Sequence, residues 1–225
     1  MLAWIAAVML AISLITAPPG GAQGGATVAN LAGAWSPASA TMKHLRGAHC
    51  APPNTCIPLD YSNFPIGPGR SSIDSGVAAI DNFVRTTPGP KMVVGASLGA
   101  LAIYAWLRQY SHDQTAPPPA ELRFITIASP ERKETGRVWS YSESERRDKY
   151  GNHSGIGMPL DTPYNVIDVC RQWDGWCYWI PGDDRSRRGA SQLHVDYRMV
   201  DLDDPNNVVV TDGNVRWVLN PTPGY

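Results

Sequence analysis

The sequence has almost no net charge of either sign, with 19 Lys and Arg against 20 Asp and Glu. Without a basic surplus it lacks the surface that nucleic acid demands, so that partner is not expected. Low-complexity tracts, heptads and fixed-period repeats are also missing, which excludes repeat architectures and coiled coils. The one long apolar run, Leu2 to Ala17, falls short of the roughly 20 residues a membrane-spanning helix needs. The four cysteines include no C-x2-C pair, so the zinc alternative has little support. Asp201, Asp203 and Asp204 lack an EF-hand pattern and are read as turn caps rather than a calcium site. No metal and no cofactor is expected.

What is present suits one domain with a sizeable core: 225 residues, 43% of them hydrophobic, with 21 Gly and 20 Pro implying many loops. Residues 1–22 read as a secretory signal peptide, with small residues before a cleavage point after Ala22, although no Lys or Arg precedes the apolar run. A retained anchor is the rival reading. In an exported chain, Cys50, Cys56, Cys170 and Cys177 suggest disulfides. Three pairings are possible, and Cys50 with Cys56 plus Cys170 with Cys177 is the local one.

The chain is organised around KMVVGASLGALAIY, Lys91 to Tyr104. Met92–Val94 is a short apolar run, Gly95–Gly99 a turn of small residues, and the continuation has helical character. That is the strand, sharp turn and helix that expose a nucleophilic serine, here Ser97, and the flanking glycines leave room for neighbouring chain.

Read in order, residues 23–40 form an extended lead-in, and 41–225 are expected to be the domain proper. Thr41–Leu45 is predicted as a first strand, and the proline-rich loop around Cys50 and Cys56 as a rigid excursion without strand or helix. Leu59–Phe64 is a candidate second strand. Ile73, Val77, Ile80 and Val84 recur at helical steps after Ser71 or Ser72. The elbow helix is expected to run to about Tyr110, and Leu122–Ile127 and Tyr164–Val169 to be strands. Residues 129–162 lack an apolar period and are either a functional lid or a solvated insert. NVVVTDGNVRWVL, 207–219, reads as a hairpin with a type I′ turn that adds an antiparallel edge. Strands separated by helices argue for a mostly parallel sheet covered on both faces.

A serine hydroxyl needs a base to take its proton, and the base needs a third group to orient it. Where the nucleophile sits on such an elbow, acid and then histidine follow it in the chain. Asp174 lies just past a strand end between Cys170 and Cys177, and of the histidines after Ser97 only His194 also follows Asp174. Asp168, Asp183 and Asp184 are the alternative acids. Trp173, Trp176, Tyr178 and Trp179 around the acid are core or substrate-binding; Trp173 and Trp176 are the substrate candidates. Arg185, Arg187 and Arg188 are either solvated or attract an anionic headgroup.

These residues resemble the cutinase family of secreted serine esterases through RGA at 46–48, GASLG at 95–99, C-x3-D-x2-C at Cys170, Asp174 and Cys177, and H-x-x-Y at His194 to Tyr197. QWDGW and H-x-x-Y are also similar to the PE-PPE hydrolase domain. The resemblance implies an α/β-hydrolase fold, a three-layer sandwich on a mostly parallel sheet, to which the residues add the C-terminal β-hairpin. It also implies catalytic Ser97, Asp174 and His194, with oxyanion donors on the backbone of Leu98 and Ala48. Leu98 stands where cutinases carry glutamine, Ala48 where they carry a hydroxyl residue, and the hairpin replaces a closing helix. A distant relative nearer the PE-PPE type is therefore expected.

The function expected is a secreted or envelope serine esterase acting on small-molecule or lipid esters, with contact to a lipid surface and a monomer favoured. Acyl transfer by the same triad is one alternative. A non-catalytic envelope-binding protein on a hydrolase scaffold is another.

Overall fold

The computed structural model describes residues 25–225 apart from 38, 65–69, 151–156 and 195. The expected signal peptide, 1–22, lies outside the described residues.

Seven strands form one sheet, β1 (Thr27–Leu31), β2 (Thr55–Pro58), β3 (Lys91–Ala96), β4 (Leu122–Ile127), β5 (Asn165–Arg171), β6 (Val208–Asp212) and β7 (Val215–Asn220). Their spatial order is β2-β1-β3-β4-β5-β7-β6, with every pairing parallel except β6 with β7. The sheet is thus mostly parallel with one antiparallel edge, as expected. Only Gly213 of the two turn residues has positive φ, +58°, which is the demand of a type II′ rather than a type I′ turn.

The first strand is a correction. It is Thr27–Leu31, inside the stretch read as a lead-in, and it pairs with β3 from Thr27↔Lys91 to Leu31↔Gly95. The domain therefore begins before residue 41. Thr41–Lys43 and Leu45–Cys50 are short 3-10 turns, because Arg46 and Gly47 take left-handed backbone angles that a strand cannot hold. Leu59–Phe64 is irregular, and the second strand falls in the cysteine-bearing loop, at Thr55–Pro58.

Helix α1 (Arg70–Thr86) buries Ile73, Val77, Ile80 and Val84 against the sheet, which is what their spacing requires. Helix α2 (Leu98–Tyr110) buries every residue from Leu98 to Leu107. The two helices approach closely at Gly76, where a Cβ would stand 2.6 Å from that of Ala102. The opposite face of the sheet is covered by irregular chain, including Leu45, Cys177, Tyr197 and Val200. Helices α3 (Glu143–Tyr150) and α4 (Asp184–Gln192) lie outside these layers, and α3 buries none of its residues.

Beneath the centre of the sheet is a buried polar knot. Asp168 accepts hydrogen bonds from Tyr104 (2.7 Å) and Thr126 (2.6 Å) and pairs with Arg132. Residues 129–162 are thus more than a solvated insert, since Ser129, Glu131, Arg132 and Val138 are all buried.

Candidate active site

Strand β3 is wholly buried and hands the chain to α2 through one residue, Ser97, at φ 52° and ψ −110°. That strained conformation lifts the hydroxyl clear of both elements. The glycines on either side are dictated by contact. A Cβ on Gly95 would stand 2.5 Å from the Gly99 carbonyl oxygen, and one on Gly99 would stand 2.7 Å from the Leu31 oxygen. The turn can be this tight only because β1 and the start of α2 meet backbone to backbone.

His194 follows the end of α4, and its Nε2 is 2.8 Å from Ser97 Oγ. Its Nδ1 faces both oxygens of Asp174, at 3.0 and 3.1 Å. With Nδ1–H donating to the carboxylate, Nε2 is left as the acceptor for the serine proton. Ser97, Asp174 and His194 are therefore brought together in one line.

Asp174 is fully buried. Its carboxylate also accepts from the Trp176 N–H (3.0 Å) and from the Tyr197 hydroxyl (2.6 Å). Disulfides join Cys50 to Cys56 and Cys170 to Cys177, and the second closes the loop that carries Asp174. Helix α4 seals this loop from outside, since a Cβ on Gly189 would collide with the Trp173 carbonyl at 1.7 Å. Tyr197 is the residue sequence reasoning left without a role, although H-x-x-Y contained it. Its hydroxyl accepts from the Arg171 N–H at 2.9 Å while donating to Asp174, and so ties the acid to the end of β5. Burial and the neighbouring Asp174 carboxylate push its ionisation well above the ordinary range, so the proton stays in place.

The other acid candidates are engaged elsewhere. Asp168 belongs to the buried knot, and Asp183 caps α4 by accepting from the Arg185 N–H. Arg187 pairs with Asp184. Asp201 and Asp204 accept from the N–H groups of Asp203 and Asn206, as turn caps do. His49, Cys50 and Cys56 lie together, but both cysteines are bonded and offer no thiolate to a metal.

Ser97 and His194 open on a cleft of about 540 Å³ with predominantly apolar walls. Gly33 to Ser36, Thr41 and His44 line it, as do Tyr141, Lys149 and Tyr150 of the 129–162 segment. Trp176 lines the cleft, with its ring centroid 5.7 Å from that of His194. Trp173 does not; it lies under the Arg185 guanidinium at 3.7 Å and edge-on to Tyr178. At the mouth, Trp35 packs edge to face on Phe64 at 5.4 Å, and both rings are more than half exposed.

Of the two expected oxyanion donors, Ala48 needs a correction. Ala48 is exposed in the second 3-10 turn and does not line the cleft. The chain beside Ser97 is the loop after β1, where a Cβ on Gly33 would stand 3.2 Å from Ser97 Cβ. Among the described residues, the N–H groups of Gly33, Ala34 and Leu98 have no hydrogen-bond partner, and all three residues border the cleft.

The PE-PPE domain family matches this chain over residues 51–179. A curated relative, SL1278 acyltransferase Chp1 of Mycobacterium tuberculosis, is 30% identical over 109 residues, spanning 46% of this chain and 24% of the relative. The chain thus corresponds to about a quarter of that relative's length. Similar solved structures include a cutinase-like protein from Cryptococcus sp., at 15% identity and TM-score 0.48 over 76% of this chain and 89% of that one. Mouse alpha/beta hydrolase domain-containing protein 10 is similar at 15% identity and TM-score 0.46, over 86% of this chain and 79% of that one.

Proposed function

The chain belongs to the PE-PPE domain family, and from that premise we propose that it is an exported serine enzyme that opens acyl esters through an acyl-enzyme on Ser97. The observation that carries this reading is the His194 imidazole, 2.8 Å from Ser97 Oγ on one side and 3.0 Å from Asp174 on the other. His194 takes the serine proton as Oγ attacks the ester carbonyl, then returns it to the departing alcohol. Asp174 holds the imidazole in the required tautomer. The charge that develops on the carbonyl oxygen meets the Leu98 N–H, at the start of α2, and the N–H groups of the Gly33–Ala34 stretch, where removal of one such donor typically costs about 3 kcal/mol. The apolar cleft suits the acyl portion, with lipid esters among the substrates. Two disulfides support export.

The test is hydrolysis of short and medium p-nitrophenyl esters by the purified protein and by Ser97→Ala. The variant should lose at least a thousandfold in kcat; equal activity sinks the assignment.

Acyl transfer is the second reading, favoured by the name of the relative, an acyltransferase. It uses the same acyl-enzyme and differs only in that an alcohol, rather than water, attacks it. Product analysis with an added alcohol separates the two.

A further inference from the structure

His44 sits between the two 3-10 turns, and nothing in the assignment of Ser97, Asp174 and His194 uses it. Its position is nevertheless fixed from both sides. The next two backbone N–H groups, of Leu45 and Arg46, donate to the carbonyls of Tyr197 and Arg198 at 2.9 Å each. Its ring stands edge-on to Tyr197, with centroids 6.1 Å apart. Since Tyr197 and His194 belong to one short segment, His44 is held on the His194 side of the cleft that it lines.

The two ring nitrogens differ. Nδ1 is buried and has no hydrogen-bond partner among the described residues, whereas Nε2 is not a buried orphan and belongs to a residue that lines the cleft. Burial pushes the imidazole down to about 4, opposed by Asp196 and reinforced by Arg198 and His194, so the ring is neutral near pH 7. A neutral imidazole carries one proton, and an orphaned buried N–H is rarer than an under-satisfied acceptor. The proton therefore belongs on Nε2, which leaves a neutral donor on a residue that lines the cleft.

The ester's alcohol oxygen has to come within reach of His194 Nε2, so the alcohol portion lies on this side. His194 Nε2 gives its proton to that oxygen on departure and takes one from an incoming hydroxyl. We propose that His44 selects the alcohol portion of the substrate, donating from Nε2 to a second oxygen beside the reacting one, so that vicinal diols and sugars are preferred over simple alcohols. The inference rests on the acyl-enzyme reading of Ser97. In the transfer step the acceptor's O–H proton passes to His194 and its oxygen bonds to the acyl carbon. The bond from that carbon to Ser97 Oγ then breaks, and the proton returns to the serine.

The experiment supplies p-nitrophenyl butyrate as acyl donor and equal concentrations of 1,2-propanediol and 1-propanol as acceptors, and measures the ratio of the two butyrate esters. The wild type should favour the diol roughly fivefold per hydroxyl, about the worth of one neutral hydrogen bond. His44→Phe, or His44→Leu if the larger ring does not fit, should bring the ratio close to one, and His44→Gln, whose amide can donate from a similar place, should restore part of it. An unchanged ratio in the apolar variants, a wild-type ratio near one, or no ester with either alcohol overturns the proposal. Labelling of Ser97 by a fluorophosphonate, together with release of p-nitrophenol, keeps the outcomes distinct. If the wild type shows neither, the acyl-enzyme reading itself fails and this inference falls with it.

Discussion

Tyr197 shows how much a single hydroxyl can organise. It is fully buried, donates at 2.6 Å to Asp174, and accepts at 2.9 Å from the Arg171 N–H, so it couples the proposed acid to the end of β5. Tyr197→Phe leaves the Arg171 N–H without its partner and takes one of its donors from Asp174 in a buried setting, which should cost about 2 kcal/mol of stability. Because Tyr197 does not line the cleft, its loss should leave KM nearly unchanged and lower kcat roughly tenfold as Asp174 loosens its hold on the imidazole. Urea unfolding and steady-state kinetics on a p-nitrophenyl ester check the two parts; an equal change in kcat and KM would count against a positioning role. At this scale Ser97, Asp174 and His194 were legible because each is a distinctive side chain and their order along the chain is constrained. Of the proposed oxyanion donors, Leu98 was legible from its place after Ser97, but the one across the cleft was not, because a backbone N–H carries no side-chain signature. That proposed donor depended on where the first strand lay, and moving the strand from Thr41–Leu45 to Thr27–Leu31 shifts the candidate from Ala48 to the loop at Gly33 and Ala34.

At the elbow, elements meet backbone to backbone. β1, β3 and the first turn of α2 approach so closely that Gly99 lies against the backbone of Leu31, where a Cβ would come within 2.7 Å of the carbonyl oxygen. No side-chain rotation relieves that contact, since the obstacle is backbone. Gly99→Ala should therefore push α2 off β1, with a loss of roughly 1–3 kcal/mol typical of overpacking. Activity should fall further than stability, because the displacement carries the Leu98 N–H with it. Thermal unfolding beside ester hydrolysis reads both, and full activity in a stable variant would show that the contact is slack. Strands β3, β4 and β5 were legible from their apolar runs, as was α1 from its spacing. β1 was not, because TVANL is five residues among Ala and Gly and offers no contrast between its two faces, both of which are buried. β2 was hidden by the prolines and cysteines around it, which an edge strand of four residues tolerates.

For the molecule as a whole, two histidines set the response to acid. Burial holds His44 and His49 at about 4, against about 6.5 for an exposed imidazole, and His49 Nε2 is committed to Asn30 Oδ1 at 2.9 Å. Both folded values lie below the unfolded one. Between pH 6.5 and about 4 the unfolded chain therefore binds protons that the folded chain refuses, and stability falls as the pH drops. Above 6.5 neither group contributes a slope, and below about 4 their contribution levels off. At most about 3 kcal/mol is at stake for each, a large share of the 5–15 kcal/mol that typically holds a domain together. The carboxylates act lower on the scale. Asp183 and Asp196 are held below their ordinary value chiefly by hydrogen bonds from Arg185 and Arg198, so their stabilising contribution is lost only as pH falls below about 4. The urea midpoint should accordingly be flat from pH 8 to 7 and decline steadily from 6.5 to 4. His49→Gln keeps a donor for Asn30 but cannot be protonated, so it should lose about half of that slope whatever it does to stability at pH 7. A midpoint independent of pH across this window, or a slope untouched by the variant, would mean that the histidines are not what couples the fold to acid.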